Sequence, residues 1–232
     1  MDPTTIVMIV IMFILLYIIY YYYLSNPSML IKNITSAQTT TNISASAIPN
    51  ASNGSVNFSY SIWFNINDWN YGYGNPKPLF RRASTTTSYT PNVYFDSMQN
   101  NLLIAMNVGS STTDKIQICT IPNIPIQKWV HLFISVYGRS LDTYINGKLV
   151  QTCILNGVPV LDTTKDIVVT PSPGFNGWTT QFQYWADATD PQSVWNLYKA
   201  GNGQGIFSSM FGNYGLKVAL LNSGNEQNSF TI

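Results

Sequence analysis

Residues 6–24 read IVMIVIMFILLYIIYYYYL, nineteen positions without a charged side chain. As a helix rising 1.5 Å per residue, such a run is about 28 Å long, the thickness of a bilayer's hydrocarbon core. It is apolar on every face, unlike a helix that lays one stripe on a globular core. Tyr17 and Tyr20 to Tyr23 gather at its C-terminal end, where phenol rings sit at headgroup level. A cleaved signal peptide is the competing reading, but residues 1–5 hold no Lys or Arg, and tyrosines fill the stretch where a small-residue cleavage site belongs. The expectation is a single-pass transmembrane anchor over residues 1–25, with Ile6, Phe13, Leu16, Tyr20, Tyr23 and Leu24 among its membrane-facing positions.

The side of the membrane is weakly encoded. Asp2 is the only charge before the run and Lys32 the first after it, a mild bias toward a cytosolic C-terminal part. Five Asn-x-Ser/Thr sequons, at Asn33, Asn42, Asn50, Asn53 and Asn57, point to a lumenal stalk instead. In a stretch so rich in Asn, Ser and Thr, such triplets also arise by chance.

Residues 26–55 lack both charge and a sustained apolar period and read as a Ser/Thr/Asn-rich linker. About thirty flexible residues reach roughly 30 Å on average and about 100 Å when pulled straight. From residue 56 the pattern changes to short alternating runs divided by Gly, Pro and Asn. Phe58, Tyr60, Ile62 and Phe64 alternate with Ser59, Ser61, Trp63 and Asn65, which is a strand with one core face. Further strands are expected at 78–82, 92–96, 102–108, 115–121, 129–137, 141–145, 148–155, 167–170 and 179–185. Asn146-Gly147 supplies the positive φ angles of a two-residue hairpin turn. One helix is expected between the N-cap Asp190, with Pro191 at its first position, and Gly201; Val194, Leu197 and Tyr198 share a face of it. A last hairpin is expected from strands 216–221 and 229–232, turned at 222–225.

Only 9% of the side chains are charged, against about 25% in an average domain. With a net charge of +1 there is no basic stripe to neutralise phosphates, so nucleic acid is not a partner. Glu226 is the only glutamate and His131 the only histidine, which leaves little material for acid/base pairs, histidine metal sites or an activated nucleophile. The chain therefore reads as a non-enzyme. His131 reads as a packed residue of its strand. The Arg81-Arg82 pair and the Ser84 to Ser88 stretch after it read as a solvated edge and turn.

The segments SYSIWFNI, PLFRR, IPIQKWVHLFISVYGRSLDTYINGKLVQTC and FQYWADATDPQSVWNLYKAG, in that order and spacing, resemble the concanavalin A-like, laminin-G-like jelly-roll family. Trp129, His131, Tyr144, Asn146 and Gly147 match its Trp-x-His strand start and Tyr-x-Asn/Asp-Gly hairpin, and Pro191 to Gly201 its closing helix. The resemblance implies an all-β, two-sheet jelly-roll sandwich with one short helix, spanning residues 56–203 behind the N-terminal transmembrane helix. Residues 204–232 then form a C-terminal extension carrying the last hairpin. That tail, FGNYGLKVALLNSGNEQNSFTI, is similar to the extension of laminin-G-like proteins encoded by large eukaryotic DNA viruses.

The resemblance implies a virion protein: a minor capsid protein that tethers the internal membrane to the inner capsid face, with the lipid bilayer and other capsid proteins as partners. The alternative is a membrane-anchored carbohydrate-binding lectin or adhesion module at the cell surface. Family glycosidases carry a Glu-x-Asp-x-x-Glu strand, which this chain lacks. Exposed aromatics that would stack on sugar rings are sought at Trp69, Tyr71, Tyr73 and Trp178. Calcium is the fold's common companion, but Asp162, Asp166, Asp187 and Asp190 are scattered rather than gathered in one loop, so no cofactor is expected. Cys119 and Cys153 permit one intrachain disulfide, which belongs to an oxidising compartment; a virion assembled in the cytosol favours two buried free thiols instead.

Overall fold

The computed structural model describes residues 3–19, 27–49, 56–109, 115–203, 217–222 and 225–231. In chain order these form α1 (Pro3–Ile19), β1 (Met29–Ile31), β2 (Thr35–Ser36), β3 (Thr41–Ile43), β4 (Phe58–Asp68), β5 (Lys77–Ala83), β6 (Tyr89–Phe95), β7 (Leu102–Asn107) and β8 (Ile116–Ile121). Then come β9 (Val130–Tyr137), β10 (Ser140–Ile145), β11 (Lys148–Ile154), β12 (Ile167–Val169), β13 (Asn176–Trp185), α2 (Pro191–Ala200), β14 (Lys217–Asn222) and β15 (Asn225–Thr231).

Strands β1 to β13 make two packed antiparallel sheets, and β14 pairs with β15 in a separate hairpin. One runs β1-β13-β4-β9-β10-β11, with β2 also on β13; the other runs β3-β12-β5-β6-β7-β8. The alternation read in β4 is the reason for this arrangement. Phe58, Tyr60, Ile62, Phe64 and Ile66 all point into one core, where they meet Leu132, Ile134 and Val136 of β9, Phe182 and Tyr184 of β13, and Phe80, Val93 and Ile104 of the opposite sheet. Tyr60 sits among Phe58, Phe80, Phe182 and Tyr184 with ring centroids 5.0–5.9 Å away. Burying this aromatic surface together with the aliphatic side chains around it drives the two sheets together. At the β10–β11 turn Asn146 (φ 51°) and Gly147 (φ 75°) take the left-handed conformations expected of them. The Asn146 side chain also accepts a hydrogen bond from the His131 backbone N–H, 2.9 Å.

Four expectations are corrected. First, residues 29–48 are not a linker. Strands β1, β2 and β3 extend both sheets through β13 and β12, and Ala37, Ile43 and Ile48 are buried. Threonines lock the segment in place: Thr35 Oγ1 lies 3.0 Å from Thr179 Oγ1, and Thr170 donates to the Thr39 carbonyl at 2.6 Å. Gly174 (φ +64°) permits the approach, because a Cβ there would stand 2.0 Å from the Ala37 carbonyl oxygen. Strands of two or three residues are too short to show an alternating period, so the sequence pattern misses them.

Second, Cys119 and Cys153 form a disulfide, with Cα atoms 6.4 Å apart, rather than two free thiols. It joins β8 to β11, the outermost strands of the two sheets on one flank, and so closes that side of the sandwich. Third, Arg82 is fully buried instead of solvated. It donates from Nε to the Lys165 carbonyl (3.1 Å) and from Nη2 to the Thr163 carbonyl (2.9 Å), with its guanidinium 5.5 Å from the Tyr184 ring centre. Fourth, Asn222 and Asn225, expected in the turn of the last hairpin, face each other as its innermost pair, and the second strand begins at Asn225 rather than at Ser229. Asn and Glu are poor strand formers, and the ladder to β14 holds Asn225, Glu226 and Asn228 extended.

Helix α1 is uncharged and presents Phe13 and Leu16 to the outside. Among the described residues no helix is long and apolar enough to cross a membrane. Tyr20, Tyr23 and Leu24, assigned to the anchor by sequence, lie outside the described residues, as do Asn50 and Asn53.

The disulfide closes a loop of sequence separation 34. In the chain-entropy account, opening it costs about 4 kcal/mol. The C119A/C153A chain in detergent is expected to melt roughly 10 °C below the wild type by calorimetry; an unchanged Tm contradicts a formed bridge.

Candidate functional site

Helix α2 divides the outer face of the larger sheet into a covered half and an open half. Its cap forms as the sequence predicts: the Asp190 carboxylate accepts from the Ser193 N–H at 3.0 Å, and Gly201 ends it at φ +83°. Val194 and Leu197 pack with Phe133, Tyr144 and Trp185 of the sheet. Tyr198 stacks on Trp63, with centroids 5.7 Å apart and planes at 18°. Trp63 in turn lies 5.0 Å from His131. Gly147 is small by necessity, since a Cβ there would meet Trp195 at 2.7 Å and Tyr198 at 2.9 Å.

His131 is thus sealed between sheet and helix, and its Nε2 lies 2.8 Å from Ser61 Oγ. Burial disfavours the imidazolium and moves its pKa from 6.5 down to about 4. Trp63, Phe133 and Tyr198 enclose its ring, so His131 is a packed residue of the sheet.

One row further along the strands, the sheet is open. Trp178 of β13 is directly opposite Asn65 of β4, and because Phe64 pairs with Val130, Trp129 continues the row on the far side. Asn65 lies two positions beyond Trp63 and therefore on the same face. With strands about 4.8 Å apart, the two indoles flank the amide at a spacing of about 10 Å. Asn67 and Ile34 complete a depression of about 350 Å³. Trp178 is 44% exposed and Ile34 43%. Asn65 is half-buried, and its Oδ1 has no hydrogen-bond partner among the described residues. Ile34 also lines a second depression, which continues along Lys32, Asn33, Thr180, Gln181, Asn202 and Gly203. Together these make one groove, bounded by the residues after α2 on one side and by the segment before β2 on the other.

The four aromatics sought by sequence are not brought together. Trp178 lies in this groove. Trp69 sits elsewhere, edge-on to Phe95 at 6.3 Å and under Lys77 Nζ at 4.6 Å, beside Met98, Asn100 and Asn123. Tyr71 and Tyr73 belong to the turn after β4, with Tyr73 58% exposed. Trp129, Asn65, Asn67 and Ile34 are missed by sequence reading. The signal that finds them is strand register: once β4 pairs with β9 and β13, outward positions in one row follow.

Of the sequons within the described residues, Asn33 and Asn42 are exposed, and Asn57 accepts from the Gly138 N–H at 2.8 Å. Among the described residues no group of His, Cys, Asp or Glu is arranged to hold a metal ion.

A family model described as the concanavalin A-like lectin/glucanases superfamily matches residues 39–195. Sequence comparison with curated proteins gives no match. Among solved structures the chain is similar to the binding domain of botulinum neurotoxin serotype G, with a TM-score of 0.53 and 14% identity over 72% of this chain and 46% of that one. It is also similar to the botulinum neurotoxin DC binding domain solved in complex with SialylT, with a TM-score of 0.54 and 16% identity over 73% and 45%. The same domain solved with rat synaptotagmin II gives a TM-score of 0.53. The chain spans less than half of each of these domains, and at such identities the likeness is one of fold.

The burial of His131 sets a pH dependence. The unfolded chain takes up a proton near pH 6.5 and the folded chain only near pH 4, so its contribution is complete above pH 6.5 and declines as the pH falls to 4. The full effect is on the order of 3 kcal/mol. Asp96, Asp162 and Asp190 are held below the usual carboxylate range, chiefly by hydrogen bonds from the Met98 N–H, the Thr164 hydroxyl and the Ser193 hydroxyl respectively, and so act at lower pH. Urea midpoints are expected to fall between pH 7 and 4.5 in the wild type and to stay nearly level in H131Q; parallel curves contradict the assignment.

Proposed function

The chain belongs to the concanavalin A-like lectin/glucanases superfamily, and from that premise we propose that it is a non-enzymatic, membrane-anchored carbohydrate-binding module whose site is the Trp129–Asn65–Trp178 groove. The observation that carries this reading is the open row itself. Two indoles about 10 Å apart, held on rigid strands, offer flat apolar faces to the carbon face of a sugar ring. Asn65 and Asn67 offer amide donors and acceptors for hydroxyls. Asn χ2 is a soft torsion, and a turn about it brings the unpartnered Asn65 oxygen toward a bound hydroxyl.

The anchor is residues 6–24, uncharged and of membrane-spanning length. The exposed apolar side chains of α1 support it. The domain stands on the oxidising side of the membrane, at the cell surface. The Cys119–Cys153 disulfide supports that side, and it outweighs the single Lys32 that favours the other. Binding needs neither calcium nor catalysis.

A second reading is the minor capsid protein that ties a virus's internal membrane to its capsid. Its specific support is the flank formed by β8 and β11, where Ile116, Ile118, Leu149, Val150 and Ile154 are exposed on two edge strands. Such a flank suits a protein partner.

The test is a glycan array probed with the full chain in detergent, followed by titration of any ligand found. W178A and W129A are each expected to weaken binding about tenfold or more, while Y73A and added EDTA leave it unchanged. Absence of any glycan ligand, or full binding by W178A, overturns the carbohydrate reading and favours the tether.

A further inference from the structure

The sequon Asn33-Ile34-Thr35 runs along the wall of the groove. Asn33 is exposed and lines the groove's second depression, and Ile34 is shared by both depressions. Strand register fixes the geometry. Thr35 pairs with Thr179 and Ile31 with Phe182, so the bend at Asn33 between them stands beside β13 about two to three residues beyond Trp178. That is at most about 10 Å along the strand direction.

We propose that Asn33 carries an N-linked glycan that lies along the groove and covers Trp178, so that the chain's own sugar occupies the site. The proposal rests on the carbohydrate reading for its consequence, but not for its geometry. In the attachment step, the Asn33 side-chain nitrogen forms a bond to C1 of the sugar while the bond from C1 to the diphosphate of a glycosyl-diphosphate donor breaks. The diphosphate leaves with the electron pair, and the nitrogen loses one proton to a base.

The fold also sets the timing. In the folded chain the Thr35 hydroxyl is 3.0 Å from Thr179 Oγ1 and 3.4 Å from the Thr179 carbonyl oxygen, so the sequon's hydroxyl is engaged. Attachment therefore precedes the pairing of β2 with β13. Once that pairing forms, the Thr180 hydroxyl holds the Lys32 carbonyl at 3.1 Å and fixes the attachment point beside the groove. Asn42 provides the contrast: it is also an exposed sequon, but it sits on β3 of the other sheet.

The experiment uses the full chain made in a eukaryotic secretory system, as wild type, N33Q and N42Q, each with and without W178F. Three quantities are read: the mass of the peptide containing Asn33, the acrylamide quenching that W178F removes, and affinity for the array ligand. The expected result is an occupied Asn33, a Trp178 quenching component absent from the wild type and present in N33Q, and affinity about tenfold higher in N33Q. N42Q matches the wild type. A bare Asn33, or equal Trp178 quenching in wild type and N33Q, overturns the proposal. If N33Q unmasks Trp178 yet binds no glycan, the covering glycan stands and the carbohydrate reading falls.

Discussion

The register of β4 between β13 and β9 is the constraint on which the rest depends. Its inward residues, Phe58 to Ile66 at every second position, supply the center of the core, and its outward residues supply both the covered and the open rows of the sheet. A slip of one residue would turn Asn65 inward and Phe64 outward. Core burial thus fixes the site as a by-product. The strand that cannot slip without exposing Tyr60, Ile62 and Phe64 also cannot misplace Asn65 beside Trp178.

What separates site from support on that face is the length of α2. The helix ends at Ala200, with Tyr198 stacked on Trp63, so the Trp63 and His131 row is sealed while the next row is not. Trp63 and Trp178 are the same side chain, one covered and one open, for that reason. The groove's other wall comes from the segment around Lys32 and Ile34, which the hydrogen bonds to Thr179 and Thr180 bring against β13. With β1 starting at Met29, the domain is tied within a few residues of the apolar run, not across a long spacer.

Much of this was legible locally. The alternation of residues 58–66, the Asn146-Gly147 turn and the Asp190–Pro191–Gly201 punctuation of α2 each act within one element, and each is where sequence placed it. The all-β sandwich follows from them. What sequence missed is non-local. Strands β1 to β3 are stabilised by partners over a hundred residues away, such as Thr179 and Thr170, so their own residues carry no period. Arg82 reads as a surface charge until the Thr163 and Lys165 carbonyls are folded over it. The site shows the same division. Trp178 stands out in the sequence as a conspicuous aromatic, whereas Asn65 and Trp129 fall beside it only through register, and Trp69 and Tyr73 lie elsewhere for the same reason.

The central claim, that Trp129, Asn65 and Trp178 act as one binding row, is tested most directly by NMR. The full chain in detergent, labelled at tryptophan and asparagine side chains, is titrated with a neutral oligosaccharide, and each indole and amide resonance is assigned by substitution. The account predicts that the Trp129, Trp178 and Asn65 signals move together with one apparent Kd, while those of Trp69 and Asn100 stay in place. Movement at Trp69 and Asn100 with the groove signals unchanged would contradict it.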